Sequence, residues 1–376
     1  MKLTNKILAG GATLSLLAPV AGTAETFQAT NWMAPSHILN EIAYAPFVEQ
    51  ISEATNGNVE FEVYSSGSLV PAPTTLQAIG DGVAQLGIVA ASYTPSELPL
   101  SGMINDMAFT VTDEFAAAFA LTEIALTNPR MIEEYSDHNT VFLGGYSTPI
   151  YNFLCMREVS GPESLTGLKI RTAGTAQNQW IASLGAIPVA VPMTDTYSGL
   201  ERGSIDCTLS DPTNLATGYK FWEVVKHINL LPQGASLGAT YVLSKDFWAD
   251  LSTEDRRAIL DLTGKALAEA QVAYHDGVEA ALEGSKERGI TISEADPQMQ
   301  ERLEAFQAEM LEGLAAETAE VRGIEDPSDI VTQYQQLVGK WHDLLEGVDR
   351  SDAEAVGQLV KDEIYAKLDA ETYGVE

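Results

Sequence analysis

The chain has 376 residues, 45% hydrophobic and 20% charged, with 53 Asp and Glu against 21 Lys and Arg for a formal net charge of −32 at pH 7. This composition excludes a disordered chain, and the length favours two lobes over one core. The negative field repels phosphate backbones and anionic bilayers, which makes nucleic acid and membrane surfaces poor partners.

Lys2 and Lys6 precede an uncharged apolar run from Ile7 to Pro19, and Ala21-Gly22-Thr23-Ala24 offers the small side chains a signal peptidase accepts. The pattern predicts a cleaved leader over 1–24 and a soluble exported chain starting near Glu25, because no later stretch has the length of a membrane span. Thr26 to Asn31 reads as a strand, followed by a helix with Leu39, Ile42, Phe47 and Ile51 on one face, capped by Ser36 and kinked at Pro46. Val59 to Tyr64 alternates as a half-buried strand, then come a helix near Thr74 to Gly80 and a strand from Leu86 to Ala90. The turn formers Ser92 to Ser96 lead to helical sequence from Glu114 to about Glu134, and Val141 to Gly145 and Tyr151 to Met156 are strands.

The clearest pattern follows. Gly167 to Thr172, Ile187 to Val191 and Ile205 to Ser210 are strands, separated by helices at Thr175 to Leu184 and Thr194 to Arg202. Alternation of this kind predicts an α/β fold with mostly parallel sheets flanked by helices, and ligands in such sheets bind beyond the carboxyl ends of the strands. After a strand at Tyr241 to Ser244, Thr253 to about Arg288 contains no proline and predicts one helix on the order of 50 Å, long enough to brace two lobes. Ile290 to Ile292 is a short strand, and acidic amphipathic helix fills the rest.

Catalytic and metal motifs are absent from the pattern. The five histidines are scattered, and neither a phosphate-binding loop nor a dinucleotide fingerprint occurs, so no cofactor or metal is expected. Gly234-Ala235-Ser236-Leu237-Gly238 matches the nucleophile elbow of serine hydrolases, but a strand follows it where that elbow requires a helix. A secreted hydrolase using Ser236 therefore stays as a minor alternative. Cys155 and Cys207 both lie in apolar strand-like runs, as a bridge or as two buried thiols.

Arg171, at a strand end, is the positive candidate, because its fork of N–H donors fits a carboxylate in two parallel hydrogen bonds; a surface ion pair is the alternative. Asp211 and Asn214, at the end of the third strand of the unit, are candidates to complete a polar shell, with a turn residue before Pro212 the alternative role for Asp211. Trp32, Tyr64, Tyr93, Trp180 and Tyr219, with Met193, are the candidate walls, since small-molecule sites combine apolar walls with few polar groups.

Three runs then carry a resemblance: Leu165-Thr166-Gly167-Leu168-Lys169-Ile170-Arg171, Leu184-Gly185-Ala186-Ile187-Pro188-Val189, and Leu200-Glu201-Arg202-Gly203-Ser204-Ile205-Asp206. Together with Tyr64-Ser65-Ser66-Gly67-Ser68-Leu69 they resemble the substrate-binding proteins of TRAP transporters, the DctP-like family, over nearly the whole mature chain. The resemblance implies a two-lobed periplasmic binding protein that closes on an organic acid and delivers it to membrane subunits, without enzymatic activity. A receptor of the same fold serving a sensor or another importer is the alternative. The expected division is 25–147 for the first lobe, completed by about 236–275, and 148–235 for the second, completed by about 276–345, with 346–376 a C-terminal helical extension. Arg171 matches the family's carboxylate-gripping arginine. Two departures stand out: Asp211 replaces a frequent Asn, and the strand entering the second lobe lacks the second arginine many members carry, Arg157 lying too far along. One arginine and one acid favour a monocarboxylate or zwitterion over a dicarboxylate.

Overall fold

The computed structural model describes residues 26–375, so the leader expected over 1–24 lies outside the described residues. In chain order the first lobe begins with β1 (Thr26–Thr30), a π-helical turn (Leu39–Tyr44) running directly into α1 (Ala45–Ala54), β2 (Glu60–Tyr64), α2 (Thr75–Gly80) and β3 (Leu86–Val89). It continues through α3 (Pro99–Ala108), α4 (Glu114–Thr127), α5 (Pro129–Ser136) and β4 (Thr140–Tyr146). The second lobe holds β5 (Asn152–Cys155), β6 (Lys169–Thr172), α6 (Thr175–Ser183), β7 (Ile187–Ala190), α7 (Met193–Glu201), β8 (Cys207–Ser210), α8 (Thr213–Ala216) and β9 (His227–Asn229). The chain then returns through β10 (Ala239–Ser244), α9 (Lys245–Asp250), α10 (Thr253–Glu287), β11 (Thr291–Ser293), α11 (Pro297–Arg322), α12 (Ser328–Leu344) and α13 (Ala353–Glu363).

Local chemistry explains where the sequence reading and the structure part. Ser36 caps nothing; instead His37 Nδ1 accepts the Leu39 N–H at 3.2 Å. Pro46 is the second residue of α1, directly after the π turn; with no N–H to continue the ladder from that turn, it marks the join between π and α geometry. The helical stretch from Glu114 breaks at Asn128, whose side chain accepts from Arg130 N at 2.9 Å and caps α5 ahead of Pro129. Helix α3 was not foreseen; its apolar face lies in the loop region that follows Ser92 to Ser96.

The first sheet runs β2-β1-β3-β10-β4 and the second β11-β9-β5-β8-β6-β7. Each is parallel except for one strand: β10 is antiparallel to both neighbours in the first, and β5 to both neighbours in the second. Those two strands are where the chain arrives from the other lobe. A segment that enters a sheet from the cleft side must run opposite to strands that leave toward it. Alternate residues of β5 serve opposite faces: Phe153 and Cys155 join a core with Trp180 and Leu303, whereas Leu154 joins one with Leu200 and Ile228. Cys155 and Cys207 stand opposite each other on β5 and β8 and form a disulfide, with Cα atoms 4.1 Å apart.

Helix α10 is continuous over 35 residues, about 50 Å. Its Gly277 sits where a side chain would meet Ile38 of the first lobe and Thr213 of the second, each 3.2 Å from a Cβ placed there. Helix α11 also links the cores: Met299, Leu303 and Met310 enter that of the second lobe and Leu314 that of the first. No described helix is long and apolar enough to cross a membrane.

The C-terminal region differs from the expected division. Helix α4 is buried on all sides, as its run of Ala, Phe and Leu requires, and α12 covers it with Ile330, Tyr334 and Trp341. So α12 packs on the first lobe rather than completing the second. Beyond it, Arg350 grips Asp113, the cap of α4, through two bonds of 2.7 Å, and Tyr365 packs against Gly144 and Gly264 while its hydroxyl donates to Leu143 O at 2.8 Å. Residues 346–375 are therefore a layer of the first lobe, not an appendage. Replacing this buried tyrosine, Tyr365→Ala, is expected to cost roughly 3–5 kcal/mol in urea unfolding; a loss under about 1 kcal/mol would make the segment peripheral.

Candidate functional site

The carboxyl ends of β1, β3, β6 and β8 converge, with both interlobe crossovers and α10, on one cavity of about 490 Å³ including its mouth. Trp32, His37, Tyr93, Tyr146, Tyr151, Met193, Asp211, Asn214, Tyr219 and Tyr274 all contribute to its wall. Trp32 is locked by its indole N–H to Ile88 O at 3.0 Å and meets Tyr93 edge-on, ring centres 5.7 Å apart.

Arg171 lies on β6, fully buried, one layer behind this wall. Its Nε donates to Val191 O at 3.0 Å, Nη1 to Leu209 O at 3.4 Å, and Nη2 to the Tyr93 hydroxyl at 3.1 Å. A guanidinium has five N–H donors, so one N–H on each Nη is left over, and Arg171 makes no ion pair among the described residues. The Tyr93 hydroxyl also accepts the Met193 backbone N–H at 3.0 Å. Tyr93 belongs to the first lobe and both donors to the second, so this single oxygen ties the lobes together at the cavity.

Asp211 ends β8 fully buried. Its carboxylate accepts from Thr213 N at 3.0 Å, from the Thr213 hydroxyl, and from Asn214 Nδ2 at 2.7 Å. Burial pushes its pKa up to about 6 against these bonds, which favour the ion. His37 is pushed down to about 4 by burial, with Asn214 acting weakly the other way, so it is neutral near pH 7. Because its Nδ1 accepts from Leu39, the ring proton is assigned to Nε2. Burial raises Tyr151 to about 12 and holds Tyr219 and Tyr274 well above the ordinary range, so all three keep their protons. Three buried polar atoms of the wall have no partner among the described residues: Tyr146 Oη, Tyr219 Oη and Asn214 Oδ1.

Two expected wall residues lie elsewhere. Tyr64 is on the edge strand β2, where its hydroxyl donates to Glu62 Oε2 at 2.8 Å on the surface. Trp180 is core: its indole N–H donates to Gln233 Oε1 at 2.8 Å and its ring packs on Phe306 of α11. Ser236 does line the cavity, but it sits in the extended crossover before β10, with Oγ donating to Asn105 Oδ1 at 3.3 Å. Its neighbour Gly234 has φ of 77°, and a Cβ there would lie 2.0 Å from Phe109 O, so close backbone approach accounts for that glycine. Sequence reasoning missed His37, Tyr146, Tyr151 and Tyr274. Tyr146 ends a strand and was findable by that rule; Tyr274 lies mid-helix and gave no local sign.

Because the folded chain holds the Asp211 proton more tightly than the unfolded one, this group's contribution to stability is full below about pH 4 and is lost as pH rises through about 6. His37 has the opposite sign over the same window, so the comparison with Asp211→Asn isolates the acid. Between pH 4 and 7 the wild type should lose roughly 3 kcal/mol relative to that variant, read by urea unfolding; parallel profiles would place Asp211 in contact with solvent.

Residues 29–318 match the family described as DctP, bacterial extracellular solute-binding protein, family 7. The C4-dicarboxylate-binding periplasmic protein DctP of Rhodobacter capsulatus is 27% identical over 338 residues, covering 84% of this chain and 97% of its own. The fold is similar to that of an extracytoplasmic solute receptor of Bordetella pertussis binding pyroglutamic acid (TM-score 0.73, 20% identity, 84% of this chain and 99% of that one). It is equally similar to a TRAP solute-binding protein of Rhodoferax ferrireducens in complex with benzoate (TM-score 0.73, 21% identity, 85% and 99%).

Proposed function

We propose that this chain, which belongs to family 7 of the bacterial extracellular solute-binding proteins, the DctP-like receptors of TRAP transporters, holds a small organic acid between its lobes with the carboxylate on Arg171. The observation that carries this reading is a buried guanidinium with two N–H donors to spare and no counter-ion. A carboxylate inserted there would form a bidentate pair screened from water, among the strongest contacts available to a small ligand.

The site favours a monocarboxylate or a zwitterion over a dicarboxylate. Among the described residues no Lys and no Arg besides Arg171, which stands behind the wall at Tyr93, is at the cavity, and Arg157 is spent on an exposed ion pair with Asp206 at 3.1 Å. A second carboxylate would meet tyrosines and the Asp211 charge instead. The benzoate and pyroglutamate held by similar structures are monocarboxylates and support this reading, while the dicarboxylate named for the Rhodobacter relative does not. Export by the leader over 1–24 and delivery to TRAP membrane subunits complete the proposal. Ser236 serves here as a wall residue without a catalytic role.

Calorimetry against a panel of acids tests it. Monocarboxylates or zwitterions are expected to bind and raise the melting temperature by mass action, and Arg171→Ala to weaken them by roughly 100-fold or more. Arg171→Lys, which keeps the charge but not the fork, should fold and still bind weakly. Tight binding of succinate or malate with none of the others would overturn the preference, and unchanged affinity in both variants would remove Arg171 from the site.

A further inference from the structure

Asn214 contributes an amide whose orientation is fixed by its neighbours. Both of its N–H groups are taken, one by Asp211 Oδ2 at 2.7 Å and one by Ser210 Oγ at 3.0 Å. An ionised carboxylate only accepts, so Asp211 holds the amide nitrogen on its own side and turns the oxygen away. Asp211 cannot swing, because the Thr213 backbone N–H and hydroxyl hold its other oxygen. Asn214 Oδ1 therefore ends in the cavity wall, on a residue 3% exposed, with no hydrogen-bond partner. His37 is the protein donor beside Asn214 and interacts with it weakly, but outside the geometry of a formed hydrogen bond, so the oxygen stays unpaired. A buried acceptor left unpaired is costly, and what satisfies it is a donor from whatever fills the cavity.

The position of this oxygen relates it to the carboxylate site. Arg171 Nη1 contacts Leu209 O and the Asn214 amide contacts Ser210 Oγ, consecutive residues at the end of β8. The two groups thus both reach the carboxyl end of β8. Asp211, for its part, accepts from Thr213 and Asn214, so most of its hydrogen-bonding capacity is committed to holding its neighbours.

We propose that Asn214 Oδ1 is a specificity determinant that reads a neutral N–H or O–H donor next to the ligand's carboxylate, with Asp211 as the residue that positions it. This rests on the carboxylate reading of Arg171 and narrows it: a donor-bearing acid, such as a lactam or hydroxy acid, is preferred over a plain acid and over a quaternary ammonium zwitterion, which has no hydrogen to give.

Matched ligand pairs test this. Calorimetry would compare pyroglutamate with N-methylpyroglutamate and cyclopentanecarboxylate, and mandelate with phenylacetate, so that the first set probes an amide N–H and the second a hydroxyl. In the wild type at least one donor-bearing acid should bind roughly 10- to 100-fold more tightly than its donor-less partners. In Asn214→Leu that ratio should fall toward one, mainly by weakening the donor-bearing acid. Asp211→Asn, whose new amide lets Asn214 turn over, should lower the ratio as well. Should the leucine variant fail to melt cooperatively, the wild-type ratios and Asp211→Asn decide alone. Equal, tight binding of both members of each pair would overturn the inference while leaving the carboxylate site standing. Failure of every acid, together with an indifferent Arg171→Ala, would overturn the carboxylate reading itself.

Discussion

The chain buries the Arg171 guanidinium completely, with no acidic partner among the described residues. Two backbone carbonyls and the Tyr93 hydroxyl solvate it in part. The nearest candidate counter-ion, Asp211, is turned to Thr213 and Asn214. Burying a charge is expensive unless it is paired and hydrogen-bonded, so the arrangement leaves an electrostatic deficit that an incoming anion relieves. Tyr93 links that deficit to lobe geometry, since its oxygen accepts from Arg171 and from Met193 across the cleft. On the proposed reading, an anion on the spare donors and a closed cleft would stabilise the same arrangement, the differential interaction that ligand-driven closure needs.

The rest of the architecture keeps the cleft addressable from both sides. Crossovers lead into β5 and β10, and α10 and α11 span the lobes, so the two halves hold a common register around the cavity. Away from the ligand site, the lobes meet at Asp106 of α3, which accepts the Ala176 N–H at 3.0 Å and so caps α6 from the opposite lobe, with Arg322 of α11 beside it. Gly218 N donates to Ser36 O at 3.1 Å near His37. These contacts are polar and local, unlike the continuous cores inside each lobe.

Much of the fold was legible because it rests on periodicity. The β-α-β-α-β unit from Lys169 to Ser210 lies within a residue or two of its expected bounds, and α10 is unbroken as the missing proline required. The expected failures were of two kinds. Capping at Asn128 and the π turn before Pro46 depend on single side chains and hydrogen bonds that a hydrophobic pattern does not register. The place of α12 and the segment after it depends on which apolar faces meet, and amphipathic helices carry no address: α4 needed a cover on every side, and Trp341 and Tyr334 supplied it.

For the site, the sequence by itself picked out Arg171, Asp211 and Asn214 as the charged and polar candidates, because strand ends can be counted along the chain. It also determined Trp32, Tyr93 and Met193 as wall candidates, but could not separate them from Tyr64 and Trp180, since an aromatic residue at a strand end points either into a cleft or into a core. Only the tertiary structure decided that. It brought Tyr274 from the middle of a long helix and Tyr146 and Tyr151 from a crossover into one wall, paired Cys155 with Cys207, and turned the Asn214 oxygen inward. These outcomes depend on distances between segments remote in sequence, and on which hydrogen bonds neighbouring groups have already used, which residue order alone does not encode.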